Sequence, residues 1–85
     1  MKKIIKFSTL GCVPCQTLKP IFLKVSTEIT DVIFEEVDCN ENPEIPRALG
    51  IRGVPCIILF DENNIELKRN IGMISEQDLK IFIAS

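Results

Sequence analysis

Apolar and polar positions along this chain switch between strand-like and helix-like spacing, and each switch marks a predicted element. Lys3 to Phe7 is a short, largely β-branched apolar run interrupted by Lys6, which reads as a strand. From Val13 to Ile29 the apolar residues Val13, Leu18, Ile21, Phe22, Val25 and Ile29 recur at helical spacing, with Gln16, Lys19 and Lys24 between them. Pro14 falls in the first turn, where proline is tolerated. Pro20 lies inside the pattern and predicts one bent helix rather than two helices. Asp31 marks a turn before a second strand, Val32 to Asp38.

A loop at Asn40 leads into a short helix from Pro43 to Leu49, with Pro46 in its first turn and Gly50 as its stop. Pro55 to Phe60 is an almost unbroken apolar run, the pattern of a central strand buried on both faces. Asp61-Glu62-Asn63-Asn64 is turn chemistry, and Ile65 to Asn70 is a more polar strand, so the two pair as a hairpin. Ser75 is placed to cap a last helix, with Asp78 in the usual Glu or Gln position of a capping box. Leu79, Phe82 and Ile83 give that helix its inward face.

The order βαβαββα is that of an α/β fold. A helix joins the first two strands, so they should run parallel with a right-handed crossover, whereas the final hairpin must be antiparallel. The expectation is a four-stranded mixed sheet ordered 2-1-3-4, with helices packed on both faces. That order sets the end of the first strand beside the start of the third, bringing Cys12 and Pro55 together.

Composition narrows the function more than the fold. Eighty-five residues, 46% hydrophobic and 26% charged, suit a single globular domain over residues 1–85. The net charge is −2, Lys and Arg are scattered, and Trp and Tyr are absent, which argues against a nucleic-acid partner. Lys6 cuts short the only leader-like start, and no apolar run is long enough to span a membrane. A cytoplasmic protein acting as a monomer, without a membrane or nucleic-acid partner, is expected.

Four cysteines then need an account. Cys12 and Cys15 flank Val13-Pro14 on a strand-to-helix turn, a spacing that can close a small disulfide ring and reopen it. A thiol at a helix N-terminus faces free N–H groups and the positive end of the dipole, both of which favour the thiolate. Cys12 precedes the helix and should be the exposed nucleophile, whereas Cys15, one turn inside, should be the buried resolving thiol. Three other readings exist: a zinc site completed by Cys39 and Cys56, an inert structural pair, and a disulfide framework. The lack of His and of a second Cys-x-x-Cys weighs against zinc. Cys39 and Cys56, standing singly, are expected to be spectators. Because Cys56 follows Pro55 directly, a third redox thiol near the pair is the alternative for it.

At these residues the chain resembles the thioredoxin family, and the likeness runs over almost its whole length. Cys12-Val13-Pro14-Cys15 is similar to the family's Cys-Gly-Pro-Cys, with Val for Gly. Pro20 falls where thioredoxins carry their helix-kinking proline. Gly50-Ile51-Arg52-Gly53-Val54-Pro55 resembles the family's segment ahead of its cis-proline, and Gly72 matches a glycine near the substrate groove. The resemblance implies a thioredoxin-like fold and a cis Val54–Pro55 bond. It further implies that the backbone of Val54 receives an extended substrate segment beside Pro55 and Gly72.

Three departures accompany the likeness. The family's N-terminal strand and helix are missing. Its tryptophan-bearing segment is replaced by Ser8, Thr9, Leu10 and Gly11. Where thioredoxins place a buried Asp six residues before the first cysteine, this chain has Lys6, and the nearby family lysine matches Glu36. The two charges are exchanged. One reading pairs Lys6 with Glu36 beneath the disulfide, with Glu36 relaying a proton to or from Cys15; the other has Lys6 snorkel to the rim and Glu36 solvated.

The leading expectation is a thiol–disulfide oxidoreductase that reduces protein disulfides, with no bound cofactor, the redox group being the Cys12–Cys15 disulfide. Its electron donor would be a thioredoxin reductase or glutathione. The rivals are a glutaredoxin-like, glutathione-dependent enzyme and a binding module that keeps the fold without the chemistry.

Overall fold

Strands β1 (Lys2–Ser8), β2 (Val32–Asp38), β3 (Cys56–Phe60) and β4 (Glu66–Ile71) alternate with helices α1 (Val13–Glu28), α2 (Glu44–Ala48) and α3 (Glu76–Ala84) in a computed structural model that describes residues 1–84. The sheet order is β2-β1-β3-β4, as the connectivity predicts. β1 and β2 are parallel, and the other two pairings are antiparallel.

Alternation along β1 divides the interior in two. Ile4 faces a cluster with Leu18, Phe22 and Val25 of α1, Ile57 and Leu59 of β3, and Leu79 and Ile83 of α3. Phe7 faces the opposite side, with Cys56, Ile58 and Phe60 of β3 and with Leu49 and Ile51 after α2. Every residue of β3 is therefore buried, which is why its sequence reads as continuous apolar. Helices α1 and α3 cover one face and α2 the other.

Element ends shift by a residue or two from the sequence pattern, each for a local reason. β3 begins at Cys56 rather than Pro55, because proline has no N–H to give to the ladder. β4 begins at Glu66 because the Ile65 N–H donates to Asp61 Oδ1 at 2.9 Å and is held in the turn. α1 ends at Glu28, with Ile29 in extended geometry and its N–H still bonded to Val25 O. Ser75 caps α3 as expected, its Oγ accepting the Asp78 N–H at 3.1 Å. Pro20 sits inside α1, which continues as one helix through it.

Candidate active site

Cys12 is the N-cap of α1 and Cys15 lies one turn inside it, so the local sequence sets up two unlike thiols. They form a disulfide with Cα atoms 5.2 Å apart, within the ordinary range for such a bridge. The Cys15 N–H donates to Cys12 Sγ at 3.1 Å. This is the geometry by which a helix N-terminus holds a thiolate once the bridge opens. The first turn of α1 contains no acidic residue to neutralise that field. Cys12 is half-buried and Cys15 only 4% exposed, the asymmetry expected of an attacking and a resolving thiol. Gly11, at φ +79, makes the left-handed turn that carries the chain from β1 into this position.

Val54, Pro55 and Gly72 assemble beside the same end of the sheet. Phe7, near the end of β1, pairs directly with Cys56, so Pro55 follows the β1 terminus just as the strand order requires. The Val54–Pro55 peptide is cis. Gly72 donates its N–H to Pro55 O at 2.8 Å, tying the end of β4 to the proline. Its φ of +97 explains the glycine, since side-chain-bearing residues rarely adopt it.

Beneath the disulfide, Lys6 and Glu36 occupy opposite positions in the parallel β1–β2 register. Lys6 is 2% exposed, and its Nζ lies 3.2 Å from Glu36 Oε1 and 5.7 Å from the centroid of the Phe22 ring. The lysine does not snorkel to the rim, whereas Glu36, 37% exposed, does reach solvent. The Lys6 ammonium is held by a carboxylate and an aromatic face, the sort of partners a buried charge needs. Lys6, Glu36 and Cys15 line one cleft of about 370 Å³, whose other walls carry Lys19, Asp38 and Glu41.

Cys39 and Cys56 lie elsewhere. Both pack with Phe7 and Ile58 on the face of the sheet opposite α1, so Cys56 points away from the Cys12–Cys15 bridge despite following Pro55. Both are free thiols. Burial is the main cause that raises the Cys39 thiol above its usual value, with the Asp38 charge adding and a backbone hydrogen bond at Ser8 opposing. Burial likewise raises Cys56, against a lowering influence from Arg69. The four sulfurs do not converge, and among the described residues no cluster of three or more potential ligands could hold a metal.

Two features of the site carried no motif. Leu10 and Val13 beside the disulfide are 80% and 68% exposed, an apolar rim where the chain has no aromatic residue. A second groove, of about 380 Å³, runs from Thr9 past Cys39 to Val54 and is lined by Arg47 and Arg52. Arg52 belongs to the Gly50-to-Pro55 segment ahead of the cis-proline, whereas Arg47 belongs to no motif, and both line this groove.

Comparison with known proteins agrees with the fold. The Thioredoxin family model matches residues 1–85. Thioredoxin H5 of Oryza sativa subsp. japonica is 35% identical over 69 residues, covering 81% of this chain and 50% of that protein. NADPH-dependent thioredoxin reductase 3 of Arabidopsis thaliana is 40% identical over 82 residues, or 94% of this chain and 15% of that protein. The chain thus spans half the length of the first relative and a small part of the second. The crystal structure of thioredoxin NaTrxh from Nicotiana alata superposes with a TM-score of 0.91 at 24% identity, over 98% of this chain and 70% of that one, a likeness of fold. With the family model spanning the whole sequence and the disulfide standing at the N-terminus of α1, the chain belongs to the thioredoxin family.

Proposed function

We propose that this protein is a thiol–disulfide oxidoreductase that reduces disulfides in other proteins. The observation that carries this reading is the Cys15 N–H aimed at Cys12 Sγ at the start of α1. In the reduced protein, the Cys12 thiolate attacks one sulfur of a substrate disulfide. The substrate S–S bond breaks, a Cys12–substrate mixed disulfide forms, and the first substrate thiolate leaves and takes a proton from solvent. Cys15 then gives up its proton and attacks Cys12 Sγ, releasing the second substrate thiol. The Cys12–Cys15 disulfide remains, and a donor of two electrons resets it.

Glu36 is the proton acceptor for Cys15 in this scheme, directly or through water in the cleft they share, and Lys6 positions its carboxylate. Val54, Pro55 and Gly72 form the ledge on which the substrate segment lies as an added strand. The electron donor is a thioredoxin reductase rather than glutathione. The Arabidopsis thaliana relative, whose name is a thioredoxin reductase and in which the match is a small part, supports that choice. A reducing cytoplasm suits the two free thiols, Cys39 and Cys56. The protein acts as a monomer, since one chain supplies both cysteines and the ledge.

The test is the Cys15→Ser variant. Mixed with a disulfide-bearing protein, it should accumulate a covalent adduct through Cys12 that dithiothreitol releases. No adduct, together with no reduction of any disulfide by the unaltered protein, defeats the proposal.

A further inference from the structure

Thiol exchange sets the reaction but not the substrate, and the charges around the disulfide are unevenly divided. On the α1 side, the cleft beneath Cys15 mixes both signs, with Glu36, Asp38 and Glu41 beside Lys6 and Lys19. On the Val54 side, the groove of about 380 Å³ carries Arg47 and Arg52 and no carboxylate. The six ion pairs among the described residues involve Lys3, Lys6, Lys24, Arg69 and Lys80, and neither groove arginine. Two arginines without an ion-pair partner therefore line one groove in a chain whose net charge is −2. The rest of the lining is neutral, including Thr9, Pro43, Ile51 and Val54.

Resting on the function proposed above, we infer that the groove of Arg47 and Arg52 selects acidic substrate segments, so that the preferred disulfides are flanked by Asp or Glu. A strand added along Val54 lays its neighbouring side chains toward this groove. A carboxylate there meets planar, permanently charged donors suited to paired hydrogen bonds. The cleft beneath Cys15, where Asp38 and Glu41 stand with Lys19, concentrates no single charge and gives an acidic flank no such hold. A single sign of charge on one side of the disulfide and a mixed lining on the other set orientation as well as affinity. Because both arginines are exposed, the attraction acts mainly on encounter and fades with salt.

The test uses two peptides with one cystine each, identical except for Asp or Lys flanking the cystine, and neutral hydroxyethyl disulfide as a reference. The second-order rate of reduction by the reduced protein should be about three- to tenfold higher for the Asp peptide, falling toward equality in ~0.5 M salt. Arg47→Glu/Arg52→Glu should reverse the order of the two peptides when each rate is divided by that variant's rate with the reference. Equal rates for both peptides, or the same order in the double variant, overturns the inference. Oxidised glutathione outrunning the Asp peptide also overturns it.

A binding arm separates this result from the chemistry. Serine analogues of both peptides are titrated into Cys12→Ser/Cys15→Ser protein and followed by fluorescence anisotropy. Tighter binding of the acidic analogue supports the inference, and no difference overturns it. Failure of the unaltered protein to reduce any of the three disulfides defeats the exchange activity itself and leaves the binding result to decide the groove.

Discussion

The molecule holds two pairs of cysteines that share a side-chain chemistry and differ in everything around it. Cys12 and Cys15 stand at the start of α1, joined to each other, with a backbone N–H of the helix directed at Cys12 Sγ. Cys39 and Cys56 lie on the far face of the sheet among Phe7, Ile58 and Ile51, and burial moves both thiols up. One environment favours the thiolate, the other the thiol. Reactivity thus follows from position on the fold, and a count of cysteines says little about it.

The largest effect should come from exchanging which pair is removed. Cys12→Ser should lower disulfide reduction by on the order of 10³-fold or more, because the attacking atom is gone. Cys39→Ala/Cys56→Ala should keep the rate within about threefold, since neither sulfur touches the bridge. An insulin-type turbidity assay on both variants decides it. Loss of activity in the second variant, with the fold retained by circular dichroism, would mean that the far pair takes part in the chemistry.

The same contrast should appear in labelling. In the reduced protein at neutral pH, iodoacetamide should modify Cys12 first, and Cys39 and Cys56 at least ~10-fold more slowly, because raising a thiol's pKa lowers its thiolate fraction. Mass mapping of a time course reads the order directly. Early labelling of Cys39 would place it in the reactive class.

Much of this contrast was legible from the chain. The helical spacing from Val13 onward, the apolar run of β3 and the turn at Asp61 specify the layers, and the connectivity then fixes the sheet order. Local chemistry also carries the Cys12–Cys15 site, because a strand, a glycine and a helix start are contiguous there. What needed three dimensions were the facts set by strand alternation. Cys56 follows Pro55 in sequence but faces away from the bridge, since Ile57 and Leu59 take the α1 side of β3. For Lys6 the sequence offers both a pair with Glu36 and a place at the rim, and the register and burial decide for the pair, with Nζ over the Phe22 ring. The Arg47–Arg52 groove joins residues of α2 and of the loop before β3, and no spacing rule connects them.

Glu36 allows the floor of the active site to be tested against its rim. Glu36→Gln removes a proton acceptor but leaves Cys12 and its helix untouched. Release from the mixed disulfide should slow by about tenfold near neutral pH, whereas the initial attack by Cys12 should change by less than about twofold. Stopped-flow kinetics with a fluorescent disulfide separates the two steps. Glu36→Asp should recover part of the loss, which a simple packing defect would not. Unchanged cysteine titration and unchanged release in Glu36→Gln would sink the relay.

The smallest effect concerns stability and tests the far pair in its own terms. Burial raises the folded-state pKa of Cys56 above the ordinary thiol value, so the folded protein holds that proton more tightly than the unfolded chain does. The stability linked to it is complete below the unfolded value and is lost as pH rises toward and past the folded one. While only the unfolded chain has released the proton, the loss is at most ~1.4 kcal/mol per pH unit for one group. Urea unfolding at about pH 8 and about pH 10 should therefore show a shallower fall for Cys56→Ala than for the unaltered protein. Both proteins should be compared after reduction, so that the Cys12–Cys15 bridge contributes nothing to the difference. Cys12→Ala makes the opposite control. A thiol held as thiolate by the helix N-terminus has the reverse sign of linkage, so removing Cys12 should not flatten the alkaline fall, and equal flattening by both substitutions would erase the distinction between the two pairs.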